Sequence, residues 1–288
     1  MGKRSEDAFM RAQYTKADLE RLHEIETEIL REIIRVCREN DITYYADWGT
    51  LLGVVRHGGF IPWDDDIDLS MPRADYERFL KIAPEQLAPG YSLQHFSTEK
   101  QTPTYWAKVR RDGTVFVEDY AKNIPIHQGV FVDIYPHDAA PGDPKLREKQ
   151  QRSIAFWQQV FIAKDIARVT TSRSRLKKLL GGMFRGAVHL CLLPVPKGWI
   201  FKKLDDAMRR YAGEKSDYTI TLDTPTGVRR LDEVFPLNQG MFEGIPVNIP
   251  NQPETLLERD YGDYMQLPTE ADRVGHCPAL FDLGEQTK

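Results

Sequence analysis

Four aspartates fall within five positions of this chain, in the stretch GFIPWDDDIDLSMPR: Asp64, Asp65, Asp66 and Asp68. Alternate side chains of a β-strand share one face, so Asp66 and Asp68 point one way while Ile67 points into a core. Neighbouring carboxylates repel each other, and burying them without compensation is costly. A divalent cation removes this conflict. The pattern therefore predicts that Asp66 and Asp68 bind Mg²⁺ or Mn²⁺, hard cations that prefer carboxylate oxygen.

The alternative interpretation is an acidic turn exposed to water, since most runs of charge are solvated surface. This interpretation suits Asp64 and Asp65, which we expect to be turn residues or helix N-caps. For Asp66 and Asp68, the alternation with apolar residues typical of a half-buried strand favours the metal site.

Asp133 is a further carboxylate in an apolar setting, because it lies in the middle of the run VFVDIYP. An ionised aspartate is rarely buried without a partner, although a buried, hydrogen-bonded aspartate remains the alternative. A strand next to DIDL would bring Asp133 to the same cation. There it would either bind the metal or accept the proton of an incoming hydroxyl group.

Residues suited to phosphate binding lie close to the aspartates in the sequence. Gly49 and Thr50 follow a predicted strand and open a predicted helix, where backbone N–H groups and the Thr50 hydroxyl could hold a phosphate. Arg56 and His57 follow at the end of that short helix. All four residues are therefore candidates for substrate binding.

A second basic pair, Lys108 and Arg110, lies in the predicted strand TYWAKVR, where alternation places both side chains on one face. From there they could neutralise the charge of a phosphate group. Each basic pair is equally compatible with a solvated edge, so this alternative remains open for Lys108 and Arg110 as well as for Arg56 and His57.

The rest of the chain predicts a mixture of helices and strands. A capping box at Thr15 and Asp18 precedes an apolar stripe with helical spacing, which predicts a helix to about Asn40. Shorter helices are predicted at 50–57, 74–82 and 253–261, strands at 42–48, 66–71, 91–96, 104–110, 114–119 and 129–135, and a hairpin at 242–249. Because helices and strands do not alternate regularly, we predict an α+β fold with a mixed β-sheet core flanked by helices.

We expect three regions along the chain: a catalytic core at 1–140, a helical basic insert at 141–216, and a C-terminal lobe at 217–288 that completes the active-site cleft. Residues 145–215 hold 17 Lys and Arg against 5 Asp and Glu, although the whole chain has a net charge of −4. A nucleic-acid partner is not predicted, because the basic segment is confined and no recognised nucleic-acid-binding module is present.

Within the insert, residues 173–203 mix cations with Leu, Met, Phe and Trp. Three interpretations remain open: a helical subdomain with a solvated basic face, a segment that lies on an anionic membrane, and a surface for a polyanionic acceptor. Amphipathicity alone does not separate them.

The location of the protein is predicted from what the sequence lacks. The N-terminus has no apolar segment of a signal peptide, and no uninterrupted run of about eighteen apolar residues is present. The three cysteines are far apart, form no CxxC motif and are interpreted as buried, reduced thiols. We therefore predict a cytoplasmic protein, with peripheral attachment to the inner face of the membrane as an open alternative.

The motif GTLLGVVRHGGFIPWDDDIDLSMPR, residues 49–73, resembles the LicD/fukutin family of nucleotidyltransferase-fold enzymes. Four further segments are similar to the family's remaining blocks: AKVRRDGT (107–114), HQGVFVDIYPHD (127–138), YGDYMQLP (261–268) and RVGHCP (273–278). The resemblance covers about residues 15–140 and 230–284. His276 lies in the last block and is included among the candidate substrate-binding residues without an assigned role.

The resemblance implies a nucleotidyltransferase-like core with a Gly-Thr turn, an aspartate pair at Asp66 and Asp68, and a third carboxylate at Asp133. It implies Mg²⁺-dependent transfer of a phospho-alcohol from a CDP-activated donor, with release of CMP. Phosphocholine is the first expectation for the transferred group, and ribitol phosphate is among the alternatives. The implied acceptor is a hydroxyl of a cell-surface glycan or of its lipid-linked precursor.

Two other functions remain open at this point. A true nucleotidyltransferase would share the metal site but would move NMP to an acceptor and release pyrophosphate. A non-catalytic nucleotide- or glycan-binding protein would keep the fold without turnover, although retention of Asp66, Asp68 and Asp133 argues against it. The identity of the released product separates the two enzymatic functions.

Overall fold

A mixed β-sheet forms the centre of the computed structural model, which describes residues 15–166, 185–222, 227–270, 273, 275 and 278–284. The α+β prediction is therefore confirmed. The helices are α1 (Lys16–Glu39), α2 (Trp48–Arg56), α3 (Arg73–Gln86), α4 (Pro144–Asp165), α5 (Lys197–Met208), α6 (Leu231–Val234) and α7 (Pro253–Tyr261). Residues 185–192 are also helical.

The strands are short, with the exception of the one that carries Asp133. They are β1 (Tyr45–Ala46), β2 (Asp68–Pro72), β3 (Tyr91–Gln94), β4 (Ala107–Arg111), β5 (Val115–Val117), β6 (Phe131–Ala140), β7 (Tyr218–Ile220), β8 (Val228–Arg230), β9 (Asn238–Phe242), β10 (Ile245–Ile249) and β11 (Leu280–Asp282). The hairpin predicted at 242–249 is confirmed as the antiparallel pair of β9 and β10.

Helix α1 begins at the predicted capping box. The Thr15 hydroxyl accepts a hydrogen bond from the Asp18 amide (3.1 Å), and the Asp18 carboxylate accepts one from the Thr15 amide (2.8 Å). Leu22, Ile25 and Ile29 of the predicted apolar stripe are fully buried. The helix therefore starts and faces the core as its sequence requires.

Replacing Thr15 with Ala should lower the free energy of unfolding by about 1 kcal/mol, because an amide at the start of α1 loses its hydrogen-bond acceptor. The measurement is urea denaturation followed by circular dichroism. Thr15→Ser retains the hydroxyl and is the matched control, expected to unfold at the wild-type urea concentration. Equal midpoints for Thr15→Ala and wild type would show that the cap contributes nothing.

The order of strands in the main sheet is β1-β2-β6-β4-β3. The central pair, β2 and β6, is parallel, while β1 with β2, β4 with β6, and β3 with β4 are antiparallel. The far end of β6 continues into a second antiparallel ladder with β7, which in turn pairs with β8. A residue of β2 therefore faces β6 directly, and this arrangement positions the site described below.

Two strand ends differ from the sequence-based expectation. The strand expected at 42–48 is reduced to two residues, because the Asp47 carboxylate accepts a hydrogen bond from the Trp48 amide (2.9 Å) and starts α2 there. Strand β2 begins at Asp68, so Asp66 lies in the extended segment before it. The alternation still holds, since Ile67 and Leu69 are fully buried.

A second apolar cluster lies between the helices that follow β6 and the sheet. Ile154 and Phe161 of α4, Ile200 and Leu204 of α5, and Ile220 of β7 are buried in it. Part of the predicted insert is therefore helical and packs against the core. The boundaries assigned to the three regions stay predictions.

Among the described residues, no helix combines the length and the apolar character needed to cross a bilayer. Cys37 is buried, as expected of a structural thiol, whereas Cys191 is exposed. The interpretation as a buried thiol is therefore wrong for Cys191, which faces solvent from the 185–192 helix. Cys277 lies outside the described residues.

Candidate active site

Three charged side chains lie in a row across the centre of the sheet. Asp68 of β2 is the register partner of Asp133 of β6, and Asp133 is also opposite Lys108 of β4. Neighbouring strands lie about 4.8 Å apart, and paired residues share a face. The strand pairing thus places Asp133 next to Asp68, as the sequence predicted. Their roles toward a metal stay predictions.

A cleft of about 990 Å³ opens above this row. Its acidic side is formed by Asp64, Asp65, Asp66, Asp68, Glu118 and Asp133. Trp48, Trp106 and Tyr135 supply part of its aromatic wall, and the chain around Tyr264 closes another side. All three predicted catalytic carboxylates therefore face one solvent-accessible volume large enough for a nucleotide-sized ligand.

Of the two aspartates that precede Asp66, one is packed inside the protein rather than solvated. Asp65 is only 1% exposed, so a solvated turn is wrong for that residue. A Cβ on Gly275 would lie 2.9 Å from Asp65 Oδ1, so a larger residue where the C-terminal segment crosses the aspartate loop would displace the Asp65 carboxylate. Asp64 lines the cleft and lies against the start of α2.

The start of α2 approaches the aspartate loop closely because Gly49 has no side chain. A Cβ at Gly49 would lie 2.9 Å from Asp64 Oδ2, inside van der Waals contact. The Thr50 Oγ1 accepts a hydrogen bond from the Asp68 amide (2.8 Å). This bond connects α2 to the first residue of β2. The helix N-terminus with Gly49 thus faces the cleft. The predicted phosphate contacts of both residues stay predictions.

Lys108 and Arg110 are both 1% exposed, so the alternative of a solvated edge is wrong for this pair. Lys108 Nζ lies 3.0 Å from Asp133 Oδ1 and 3.2 Å from Glu118 Oε2. Arg110 donates to Gln94 Oε1 (2.8 Å) and to a backbone carbonyl, and its Nη2 is 3.9 Å from Glu118. The two cations therefore balance carboxylates in the floor of the cleft, and a direct phosphate contact stays a prediction.

An aromatic cluster adjoins the carboxylates. The Tyr135 ring lies against Trp48 (centroids 4.7 Å apart, edge to face) and is stacked with Trp106 (5.0 Å). The Tyr135 hydroxyl is 3.5 Å from Asp133 Oδ2. The sequence alone gives no means of telling whether these three aromatic residues line a cleft or lie in the core.

Comparison with known proteins agrees with this geometry. Residues 41–169 match the family model described as LicD/FKTN/FKRP, nucleotidyltransferase domain. The chain carries a LicD/FKTN/FKRP nucleotidyltransferase domain. The matched range runs from just before β1 to the end of α4 and includes Asp66, Asp68, Lys108 and Asp133. The resemblance proposed from the motifs is thereby confirmed.

Individual relatives differ in how much of the chain they match. Lipopolysaccharide cholinephosphotransferase LicD of Haemophilus influenzae is 27% identical over 253 residues, which is 84% of this chain and 89% of that protein. Ribitol 5-phosphate transferase FKRP of Mus musculus is 28% identical over 109 residues, or 38% of this chain and 19% of that protein. An uncharacterized Rickettsia typhi protein is 31% identical over 111 residues, covering 38% and 33%.

Lys108 is a buried cation between two carboxylates of the cleft, Asp133 and Glu118. Burial raises the pKa of Asp133 above its ordinary value, although the Lys108 ammonium opposes this shift. Burial also acts to raise the pKa of Glu118, but Lys108 and Arg110 outweigh it and hold that pKa below its ordinary value. Glu118 was missed by sequence reasoning; its signal is an acid directly after the apolar run VFV.

The remaining predicted substrate-binding residues lie at different depths. Arg56 lines the cleft, and its guanidinium donates to the Tyr264 carbonyl (2.5 Å) and to His57 Nε2 (2.9 Å). His57 is exposed, and partial burial together with the Arg56 charge lowers its pKa. His276 lies outside the described residues. Arg56 thus lines the cleft, whereas His57 is exposed next to it and is not one of the lining residues.

A buried acid behind the aspartate loop was also missed. Glu26 of α1 is 2% exposed, and burial raises its pKa well above the ordinary value, with the charges of Asp66, Asp65 and Asp64 adding to the shift. Its sequence signal is an acid within the apolar stripe of α1, where charged residues are rare. Helix α1, which precedes the range matched by the family model, thus places a buried acid close to the aspartates of the cleft.

A buried ion pair ties the start of α2 to the C-terminal part of the chain. Arg229 Nη2 of β8 lies 2.6 Å from Asp47 Oδ1 and 3.3 Å from Asp260 Oδ2. Asp47 also accepts hydrogen bonds from the Ser70 hydroxyl (2.8 Å) and the Trp48 amide. Burial acts to raise the pKa of Asp47, but Arg229 and the hydrogen bonds outweigh it and lower that pKa.

The donor set of the cleft suits one class of metal. Among the described residues, no three His, Cys, Asp or Glu side chains are grouped closely enough to hold an ion alone. Mg²⁺ is ordinarily bound by one or two carboxylates, with waters and substrate phosphates completing the shell. Asp66 and Asp68, with Asp133 in register beside Asp68, supply oxygen donors of that kind.

Proposed function

We propose that this protein transfers phosphocholine from CDP-choline to a hydroxyl of a cell-surface glycan or its lipid-linked precursor, with Mg²⁺ and release of CMP. The observation that carries this proposal is the register of β2 and β6, which puts Asp68 and Asp133 side by side at the cleft. Support for the class of reaction comes from the relative named lipopolysaccharide cholinephosphotransferase, which matches 84% of the chain.

The proposed donor site uses groups at the acidic side of the cleft. The N-terminus of α2 at Gly49 presents backbone N–H groups, which favour a diphosphate there. Asp66 and Asp68 would hold the metal, which when bound supplies the positive charge that stabilises the diphosphate and the departing CMP. Arg56, already fixed by the Tyr264 carbonyl, is placed to add a fixed positive charge at the rim.

The chemical step is an in-line displacement at phosphorus. The oxygen of the acceptor hydroxyl forms a bond to the phosphorus of phosphocholine, the bond from that phosphorus to the CMP oxygen breaks, and its electron pair leaves with CMP. The hydroxyl proton passes to a carboxylate. We assign this role to Asp133, because burial raises its pKa and makes it a stronger base than an exposed aspartate.

Aromatic side chains support choline as the transferred alcohol. A quaternary ammonium group is bound best by the faces of Trp and Tyr rings, whereas glycerol or ribitol would need hydroxyl-binding groups. Trp48, Trp106 and Tyr135 line the cleft immediately beside Asp133. The head group of a donor whose diphosphate lies at the aspartates would reach this wall.

The test is incubation of the purified protein with Mg²⁺ and each of CDP-choline, CDP-ethanolamine, CDP-glycerol and CDP-ribitol, with a glycan extract as acceptor. We expect CMP from CDP-choline, abolished by chelation and restored by added Mg²⁺. Release of pyrophosphate from a nucleoside triphosphate would instead identify a nucleotidyltransferase. Absence of both binding and turnover with all four donors would overturn the proposal.

Replacing Trp106 with Leu should reduce kcat/KM for CDP-choline about tenfold, because a cation–π contact in a desolvated site contributes up to about 2 kcal/mol. The same variant should change kcat/KM for CDP-glycerol much less, if that donor is used at all. Trp199→Leu, at an exposed tryptophan outside the cleft, is the matched control in a vesicle-free assay. An equal loss with both donors would contradict a choline-specific contact.

The proposed location is the cytoplasm, where CDP-activated donors and a lipid-linked acceptor can meet. Attachment to the inner membrane face would follow from an acceptor on a lipid carrier. The surface that could serve for this purpose is argued separately below.

A further inference from the structure

Large apolar side chains are exposed together on the helical region between β6 and β7. Phe156 of α4 is 59% exposed, Leu190 is 65%, Leu193 is 54%, and Trp199 of α5 is 49%. Single exposed apolar residues are ordinary, but a group of them marks an interaction site.

Contacts join the aromatic members of this group and hold the segment with Leu190 and Leu193 against the same helix. The Trp157 ring lies 5.1 Å from the Phe156 ring and 5.6 Å from the Trp199 ring, measured between centroids. Lys164 of α4 donates to the carbonyl of Leu193 (2.9 Å), which fixes the 185–193 segment against the same helix. We call the surface formed by Phe156, Trp157, Leu190, Leu193 and Trp199 the α4–α5 face.

Positive charge surrounds the α4–α5 face. The described residues 144–166 and 185–208 contain nine Lys and Arg against four Asp and Glu. All four acids are already ion-paired: Glu148 with Arg152, Asp165 with Lys197, Asp205 with Arg73, and Asp206 with Lys202. Exposed cations such as Lys145 and Lys149 remain in excess, so the surface presents a net positive charge.

We propose that the α4–α5 face binds the surface of an anionic lipid bilayer. Tryptophan and phenylalanine insert favourably at the boundary between head groups and acyl chains, and neighbouring lysines meet the anionic head groups. Lys203, whose Nζ is 5.5 Å from the Trp199 ring centroid, combines both contacts at one point. The excess positive charge favours an anionic bilayer over a neutral apolar protein partner.

The α4–α5 face lies close to the cleft, so membrane binding there would affect access of the acceptor; this step rests on the proposed function. Helix α4 contributes Gln158, Phe161 and Ile162 to the cleft wall, and it contributes the exposed Phe156 and the half-buried Trp157 to the α4–α5 face. The two surfaces are separated by one helix, whose diameter is about 10 Å. A bilayer on the α4–α5 face would therefore bring a lipid-linked acceptor to the edge of the cleft.

Residues 173–203, for which a membrane-bound segment was one of three open interpretations, overlap this surface only in part. Residues 173–184 lie outside the described residues, and Phe156 and Trp157 lie before that segment. The α4–α5 face is thus defined by helix packing rather than by one amphipathic stretch.

The test is flotation of the full-length protein with vesicles of phosphatidylcholine, with and without phosphatidylglycerol, at low and high salt. We expect binding to the anionic vesicles alone, weakened by salt because exposed charges are screened. The double substitution Phe156→Ser with Trp199→Ser should lower the partition coefficient at least about tenfold, since two large apolar side chains no longer leave water on binding.

The matched control is Met241→Ser with Leu280→Ser, at side chains that are 50% and 62% exposed elsewhere on the surface. This control should float as wild type does. Absence of binding to anionic vesicles, or an equal loss in the control, would overturn the proposal. A dimer detected by light scattering and dissociated by the Phe156 and Trp199 substitutions would assign the face to a second copy instead.

Vesicle binding and catalysis can be separated in the same experiment. Asp68→Asn should float like wild type although it is expected to be inactive. The Phe156 and Trp199 double variant should release CMP at the wild-type rate with a soluble acceptor. Failure of the lipid proposal would therefore leave the proposed reaction intact, and the reverse also holds.

Discussion

Asp68→Asn should reduce CMP release by at least about a thousandfold, because it removes a charged oxygen donor from the proposed metal site and so lowers charge stabilisation of the leaving group. The same substitution should remove the increase in melting temperature that Mg²⁺ gives the wild-type protein, since a ligand that binds the folded state more weakly stabilises it less. The two measurements are a CMP assay and thermal denaturation at several Mg²⁺ concentrations.

The matched control for this substitution is Asp41→Asn. Asp41 is exposed and has a φ of 51°, a conformation that Asn adopts readily. The control should retain both the activity and the Mg²⁺-dependent melting shift. An active Asp68→Asn enzyme with an unchanged shift would show that this carboxylate does not bind the metal.

Arg229→Met should lower the free energy of unfolding by about 3–5 kcal/mol, because it leaves Asp47 charged and buried without its cation. Both side chains are 1% exposed or less, and the ion pair is 2.6 Å long. Urea denaturation of wild type and variant measures the difference. Arg230→Met is the matched control, since the adjacent arginine is exposed and its ion pair is with the exposed Asp232. It should unfold like wild type.

The pH dependence of this effect has a defined sign. In the wild-type protein the pKa of Asp47 is lowered, so the stability it contributes is present above its unfolded pKa and is lost as pH falls through the lowered value. Without Arg229, burial would be opposed only by the weaker effects of His137 and Ser70, so the pKa of Asp47 would be higher than in wild type and protonation would relieve the buried charge at higher pH. The difference between wild type and variant should therefore shrink as pH falls from neutral. A constant difference would contradict the assignment.

Local patterns in the sequence predicted the parts of the fold that depend on neighbouring residues. The capping box at Thr15 and the alternation around Ile67 depend on residues a few positions apart, and both are present in the structure. The apolar run around Asp133 predicted a strand, but its position beside Asp68 was only a condition of the metal hypothesis, and the register of β2 and β6 meets that condition.

Features that depend on distant contacts could not be predicted in this way. From the sequence, Lys108 and Arg110 are equally compatible with a phosphate site and with a solvated edge, and their burial is evident only once β6 and Glu118 are placed around them. Arg229 is separated from Asp47 by more than half of the chain, and nothing in its neighbourhood indicates burial. Whether such residues are buried depends on which charged side chains meet in the folded chain. A single sequence does not show which residues pair over these distances.

The contact between Asp47 and Arg229 shows that the segment matched by the family model does not contain all the residues that stabilise it. The family model ends at residue 169, whereas the cation that balances Asp47 lies in β8. A fragment cut at the end of the matched range would expose a charged helix start with no counter-ion and would lack the chain that packs on Asp65 at Gly275. Expression of the catalytic region should therefore extend through Gly275 at least.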